Sequence, residues 1–86
     1  MITPPDPPVR DVTQLAKLDM GGRGRIVRVT GSGEVSRRLL EMGITPGAEI
    51  RLLRAAPLGD PLEFDIRGYR LSLRRSEAEQ IDVETL

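Results

Sequence analysis

Twelve arginines, one lysine (Lys17) and thirteen carboxylates make up the ionic chemistry of this 86-residue chain, which contains no histidine and no cysteine. Without histidine, the commonest metal ligand and the usual general base near neutral pH are missing. Without cysteine there is no disulfide framework, no zinc ribbon and no thiol redox chemistry. No pair of carboxylates stands at the helical or loop spacing of a metal motif. No GxxxxGK[ST], HExxH or nucleophile elbow occurs either. The sequence therefore predicts no catalytic residue, no metal site, no cofactor and no enzyme. What remains is arginine, whose forked donors suit carboxylate or phosphate, and so contact with another molecule.

The arginines are unevenly spread. Residues 1–75 hold all 13 basic groups against 9 acidic ones, a surplus of 4, while Glu77, Glu79, Asp82 and Glu84 follow unopposed. That surplus motivates an alternative reading as an RNA-binding SH3-like barrel. Against it stand the zero net charge and the single Phe64 and Tyr69, too few to stack bases. No nucleic-acid partner is expected. Hydrophobic runs are short and interrupted by charge, so neither a membrane span nor a secretory signal is predicted, and a cytoplasmic location is.

The elements that position these groups follow from spacing. "MITPPDPPV" has four prolines in nine residues. It can be neither helix nor central strand, so residues 1–10 read as a disordered proline-rich leader. In "DVTQLAKLDMGGRG", Thr13 or Asp11 can cap a short helical turn that buries Leu15 and Leu18 and ends at Gly21 and Gly22. "RGRIVRVTG" is a β-branched strand with Arg25 and Arg28 facing solvent.

"GEVSRRLLEMGITPG", residues 33–47, is a second helix. Val35, Leu39 and Met42 form one apolar stripe, and Glu34–Arg38 and Arg37–Glu41 are i, i+4 pairs. Ser32 is its expected cap, Gly43 its left-handed stop and Ile44 the accompanying hydrophobic contact. "TPGA" fits a type II turn with Pro46 and Gly47 at its corners.

Three alternating strands follow: "AEIRLLRAA", "PLEFDIRG" and "YRLSLRR", the last two joined by a tight reversal at Gly68. A capping box of Ser76 and Glu79 opens one further helical turn before the strand "IDVETL". The expected architecture is mainly β with short helices. It is a five-stranded SH3-like small barrel, with a helix inserted between the first two strands, occupying residues 11–86 as one domain.

These pieces, in this order, resemble the FeoA family, small cytoplasmic proteins that accompany the bacterial ferrous-iron transporter FeoB. The resemblance runs through the leucine-bearing turn from Leu15 to Gly21 and the helix end Arg38, Leu39, Met42, Gly43. It continues through Pro46–Gly47, the Gly59–Asp60–Pro61 loop, the Arg67–Gly68 reversal and the closing "LRRSEAEQI", covering Asp11 to Val83. The domain type also resembles the C-terminal module of iron-dependent repressors, although no helix-turn-helix accompanies it here. The resemblance implies an SH3-like fold and a non-catalytic adaptor or regulator of iron uptake. Such a protein would touch the cytosolic GTP-binding part of FeoB and reach the membrane only through that partner. It leaves self-association open.

Core packing accounts for Val35, Leu39, Met42 and Ile44. Leu40, off the buried stripe, and Leu58, in "AAPLGDP", are harder to place inward. A groove between the second helix and that loop, with Arg37, Arg38, Glu41 and Asp60 on its rim, is the expected partner-binding surface. A sharper possibility, an arginine finger at Arg37 or Arg38, competes with the structural use those arginines have in i, i+4 pairs.

Overall fold

The computed structural model describes residues 11–86; the proline-rich leader predicted for 1–10 lies outside the described residues. Six strands form one antiparallel sheet in the order β1-β6-β2-β3-β4-β5. They are β1 (Val12–Gln14), β2 (Arg23–Val29), β3 (Glu49–Ala55), β4 (Leu62–Ile66), β5 (Tyr69–Leu73) and β6 (Ile81–Thr85). Helix α1 (Gly33–Glu41) lies between β2 and β3, and the short α2 (Arg75–Ala78) between β5 and β6.

The expected five strands gain a sixth. Val12–Gln14, expected as part of a capped helical turn, is instead a strand paired with Asp82–Glu84, and the helical turn that follows is confined to Leu15–Lys17. The pairing wins because a three-residue strand lying against β6 satisfies backbone groups that an isolated single turn would leave open.

Alternation does what period two requires. Along β4 the residues Leu62, Phe64 and Ile66 are buried while Glu63 and Asp65 are only half-buried, and Ile50 and Leu52 of β3 meet Ile66 and Phe64 in register. Phe64 is completely buried at the centre of a cluster that also holds Leu15, Leu39, Ile44, Leu73, Ile81 and Val83. In a domain this small such residues carry most of the stability, and truncating a buried leucine to alanine costs about 2–5 kcal/mol.

Two glycines are required by geometry. Gly24 faces Val83 so closely that a Cβ would fall 2.9 Å from the valine side chain, so glycine leaves room for that side chain where β2 pairs with β6. Gly43 has φ 93 and stops α1. The Gly43 amide donates to the Leu40 carbonyl and the Ile44 amide to the Leu39 carbonyl, both at 3.0 Å, with Leu39 and Ile44 fully buried. This is a Schellman stop with its hydrophobic contact, as the sequence predicts. The Thr45–Ala48 turn is also as expected, the Ala48 amide donating to the Thr45 carbonyl (3.1 Å) and Gly47 at φ 91.

Two capping expectations are corrected. Ser32 is the N-cap residue of α1, but its side chain makes no capping hydrogen bond. Helix α2 begins at Arg75, so the carboxylate that reaches back is Glu77, whose Oε1 accepts the Arg74 amide at 2.9 Å, rather than Glu79 reaching Ser76. The helix starts earlier because the Asp60 carboxylate Oδ1 accepts the Arg75 amide (3.0 Å) and so fixes its first turn.

The charge asymmetry of the sequence is closed by the fold. Arg28 on β2 meets Asp82 on β6 at 2.9 Å, and Arg38 on α1 meets Glu77 on α2, so the acidic end of the chain folds onto basic residues that precede it.

Candidate functional site

The predicted site residues fall on two elements, α1 and the loop 56–61. On α1, Leu39 points into the core, which turns Arg37, Leu40 and Glu41 outward. Leu40 keeps 44% of its surface exposed. Val35, Arg37, Arg38 and Glu41, with Glu34, line a shallow hollow of about 380 Å³ along the helix. Arg38 does not serve the i, i+4 pairing expected of it: its guanidinium reaches across to Glu77, a carboxylate only 9% exposed. Among the described residues Arg37 and Glu41 form no ion pair, so their charges are available on the surface.

The loop is held from several directions. The Gly59 amide donates to the Ala56 carbonyl (2.8 Å), closing a turn with Pro57 and Leu58 at its corners, and the Ala56 amide donates to the Pro61 carbonyl (2.9 Å). The Asp60–Pro61 peptide is cis. Leu58 occupies a position with φ 76, where glycine is normally required, and its side chain is fully exposed. A leucine there is unfavourable twice, in its backbone and in its hydration, and nothing in the packing of the domain compensates it.

Arg75 anchors this loop. Its Nε and Nη2 donate to the Gly59 carbonyl at 3.1 and 3.0 Å, and its Nη1 donates to the Ala16 carbonyl at 3.3 Å. Sequence reasoning missed this role, because a basic residue in "LRRSEAEQI" gives no sign of which carbonyls lie within reach. Asp60 likewise has a structural partner, the Arg75 amide.

The two halves of the predicted groove therefore meet through α2. Arg38 attaches α1 to it, and Asp60 and Gly59 attach the loop to it. Leu58 stands proud on its turn rather than lining a wall. Leu40 and Leu58 are exposed apolar side chains available for contact, and among the described residues no three His, Cys, Asp or Glu side chains cluster as a metal site.

Elsewhere, Arg54 on β3 and Glu63 on β4 form an ion pair of 2.5 Å. The hydrogen bond from Arg54 holds the Glu63 carboxyl below its ordinary value, and the same bond raises the Arg54 guanidinium. Tyr69 donates its hydroxyl to the Met42 carbonyl at 2.5 Å, beside Gly43, and Arg67 donates to the Thr45 hydroxyl at 3.4 Å.

An antiparallel six-stranded sheet wrapped on a single core, with one inserted helix and a protruding loop, defines a small SH3-like domain. The chain belongs to the FeoA domain family, whose sequence model, described as "FeoA domain", matches residues 13–85. It is 42% identical over 73 residues to an Fe(2+) transport protein A/Fe(2+) transporter FeoB fusion protein of Porphyromonas gingivalis. That match takes in 85% of this chain, which spans only 9% of the fusion protein.

Among solved structures, FeoA from Chlorobium tepidum superposes with a TM-score of 0.80 at 42% identity, covering 86% of this chain and 70% of that one. FeoA from Stenotrophomonas maltophilia, complexed with zinc and described as a procaryotic SH3 domain protein, superposes with a TM-score of 0.72 at 30% identity, covering 81% and 87%.

Proposed function

We propose that this chain is a non-catalytic, cytoplasmic accessory domain of ferrous-iron transport, acting by contact with the cytosolic GTP-binding part of a FeoB-type transporter. The observation that carries this reading is the P. gingivalis fusion, in which a segment 42% identical to this chain shares one polypeptide with a FeoB transporter. Fusion fixes two partners at high effective concentration, an arrangement that favours domains working on each other. The S. maltophilia relative has been described as a candidate bacterial ferrous iron transport activating factor, which fits the same role.

The surface proposed for the contact consists of Arg37, Leu40 and Glu41 on α1 with Leu58 at the loop tip. Arg38 and Asp60 serve as the residues that hold those elements in place. Among the described residues no three metal-ligating side chains cluster, and in this reading the domain acts through binding energy. It favours one conformation of the transporter's cytosolic domain, by no more than its differential affinity for the two.

Calorimetric titration of the full chain into the soluble GTP-binding domain of the FeoB from the same genome tests the reading. Saturable one-to-one binding, weakened about tenfold or more by Leu58→Ala, is expected. Binding that ignores both Leu58→Ala and Leu40→Ala rejects the proposed surface, and absence of binding with every nucleotide rejects the partner domain.

A further inference from the structure

Strand β5 ends the sheet order, and among the described residues it pairs only with β4. Arg67 (φ 51) and Gly68 (φ 85) alone separate Ile66 from its partner Tyr69, the geometry of a two-residue type I′ hairpin. In such a hairpin the residues flanking the loop exchange both backbone hydrogen bonds, and hydrogen-bonded and open pairs alternate from there. The N–H and C=O groups of Tyr69, Leu71 and Leu73 therefore face β4, while those of Arg70 and Ser72 face outward along the sheet edge. Register runs unbroken from Ile66–Tyr69 to Leu62–Leu73, with no bulge, and no proline interrupts β5. An edge of this kind is a template for one more strand.

We propose that the outer edge of β5 accepts an extended, carboxylate-rich peptide segment of a protein partner by strand addition. The proposal goes beyond the transport reading, because the docking mode is the same whichever protein supplies the segment. Charge selects the occupant. The charged groups on β5 and at its two ends are Arg70, Arg67 and Arg74, all exposed. On the neighbouring strand Glu63 is held by Arg54 and also lies within the field of Arg70, and Asp65 stands in register between Arg51 and Arg70, so two carboxylates face three guanidinium groups. The edge therefore carries a positive excess that an acidic strand would neutralise.

Period two then fixes the pattern of the segment. Carboxylates fall on the wet face beside Arg70, and apolar side chains fall on the other face beside the half-buried Leu71. A second copy of this chain fits poorly, because β5 against β5 sets arginine-bearing strands side by side. Nucleic acid fits poorly too, since Phe64 is buried and Tyr69, 44% exposed, is a single ring where successive bases need several to stack on.

The test is a nitrogen-15 NMR titration of the full chain with the capped peptide Glu-Val-Glu-Val-Glu-Val, its block isomer Glu-Glu-Glu-Val-Val-Val, and oligouridylate. Expected are saturable shifts centred on the Arg70 and Ser72 amides, amide exchange at both slowed about tenfold or more, and clearly weaker binding of the block isomer. Ser72→Pro removes only an outward N–H and abolishes the response while the β4–β5 pairing remains. Arg70→Glu, which does not disturb the backbone, weakens it about tenfold. The proposal is overturned by an unperturbed β5, by equal response to the block isomer, by oligouridylate shifting the same amides, or by β5 shifts that follow protein concentration alone.

Discussion

Arg38 on α1 and Glu77 on α2 form an ion pair, and the same Glu77 carboxylate accepts the Arg74 amide at the start of α2. One carboxylate thus fixes the first turn of one helix and the position of another. Because Glu77 is only 9% exposed, removing Arg38 leaves a nearly buried charge without its cation. Arg38→Ala is expected to destabilise the domain by about 1–3 kcal/mol, whereas Arg37→Ala stays within about 0.5 kcal/mol. Urea unfolding of the two variants measures the difference.

Gly43 answers to two constraints at once. Its φ of 93 disfavours any side chain, and a Cβ there would collide with the Tyr69 hydroxyl. Gly43→Ala is expected to cost about 1–3 kcal/mol, and Tyr69→Phe, which removes the hydrogen bond to Met42, about 0.5–1.5 kcal/mol. In the double variant the steric part of the alanine cost shrinks, so the two effects fall short of additive in thermal or chemical unfolding.

Acid should weaken the fold partly through Glu63. Its folded carboxyl lies below the ordinary value because Arg54 donates to it. A group depressed in this way contributes stability above its unfolded value, and the contribution disappears as pH falls through the folded one. Glu63→Gln should therefore flatten the loss of stability between neutral pH and about pH 3, with a small effect given the exposed Arg54. Urea midpoints across that range check it.

Leu58 is the position at which stability and the proposed contact can be measured apart. At φ 76 and fully exposed, it contributes backbone strain and no packing. Leu58→Gly should leave stability unchanged or raise it by up to about 1 kcal/mol, while binding to the transporter domain weakens. Unfolding and calorimetry on the same variant give both readings.

What the sequence made legible was local. The stop of α1 at Gly43, the Thr45–Ala48 turn, the alternation of β3 and β4 and the Arg67–Gly68 reversal each depend on residues a few positions apart, and each is found where expected. The features that escaped depend on distant partners. Val12–Gln14 is a strand only because Asp82–Glu84 lies beside it. The first turn of α2 is set by Asp60, fifteen residues earlier, and Arg38 prefers Glu77 on another element to Glu34 on its own helix. For the site, the exposure of Leu40 and Leu58 could be inferred, since neither fitted a buried stripe. The clamping of the Leu58 loop by Arg75 could not, because that clamp uses backbone carbonyls that sequence does not point to.

The most direct measurement is a nitrogen-15 NMR titration of the full chain with the GTP-binding domain of a FeoB-type transporter from the same genome, run in GDP and in a non-hydrolysable GTP analogue. Nucleotide-dependent shifts concentrated at Arg37, Leu40, Glu41 and Leu58 are the predicted result. A spectrum unchanged in both nucleotide states, or shifts confined to residues away from α1 and the 56–61 loop, would contradict the claim that this domain acts through that contact.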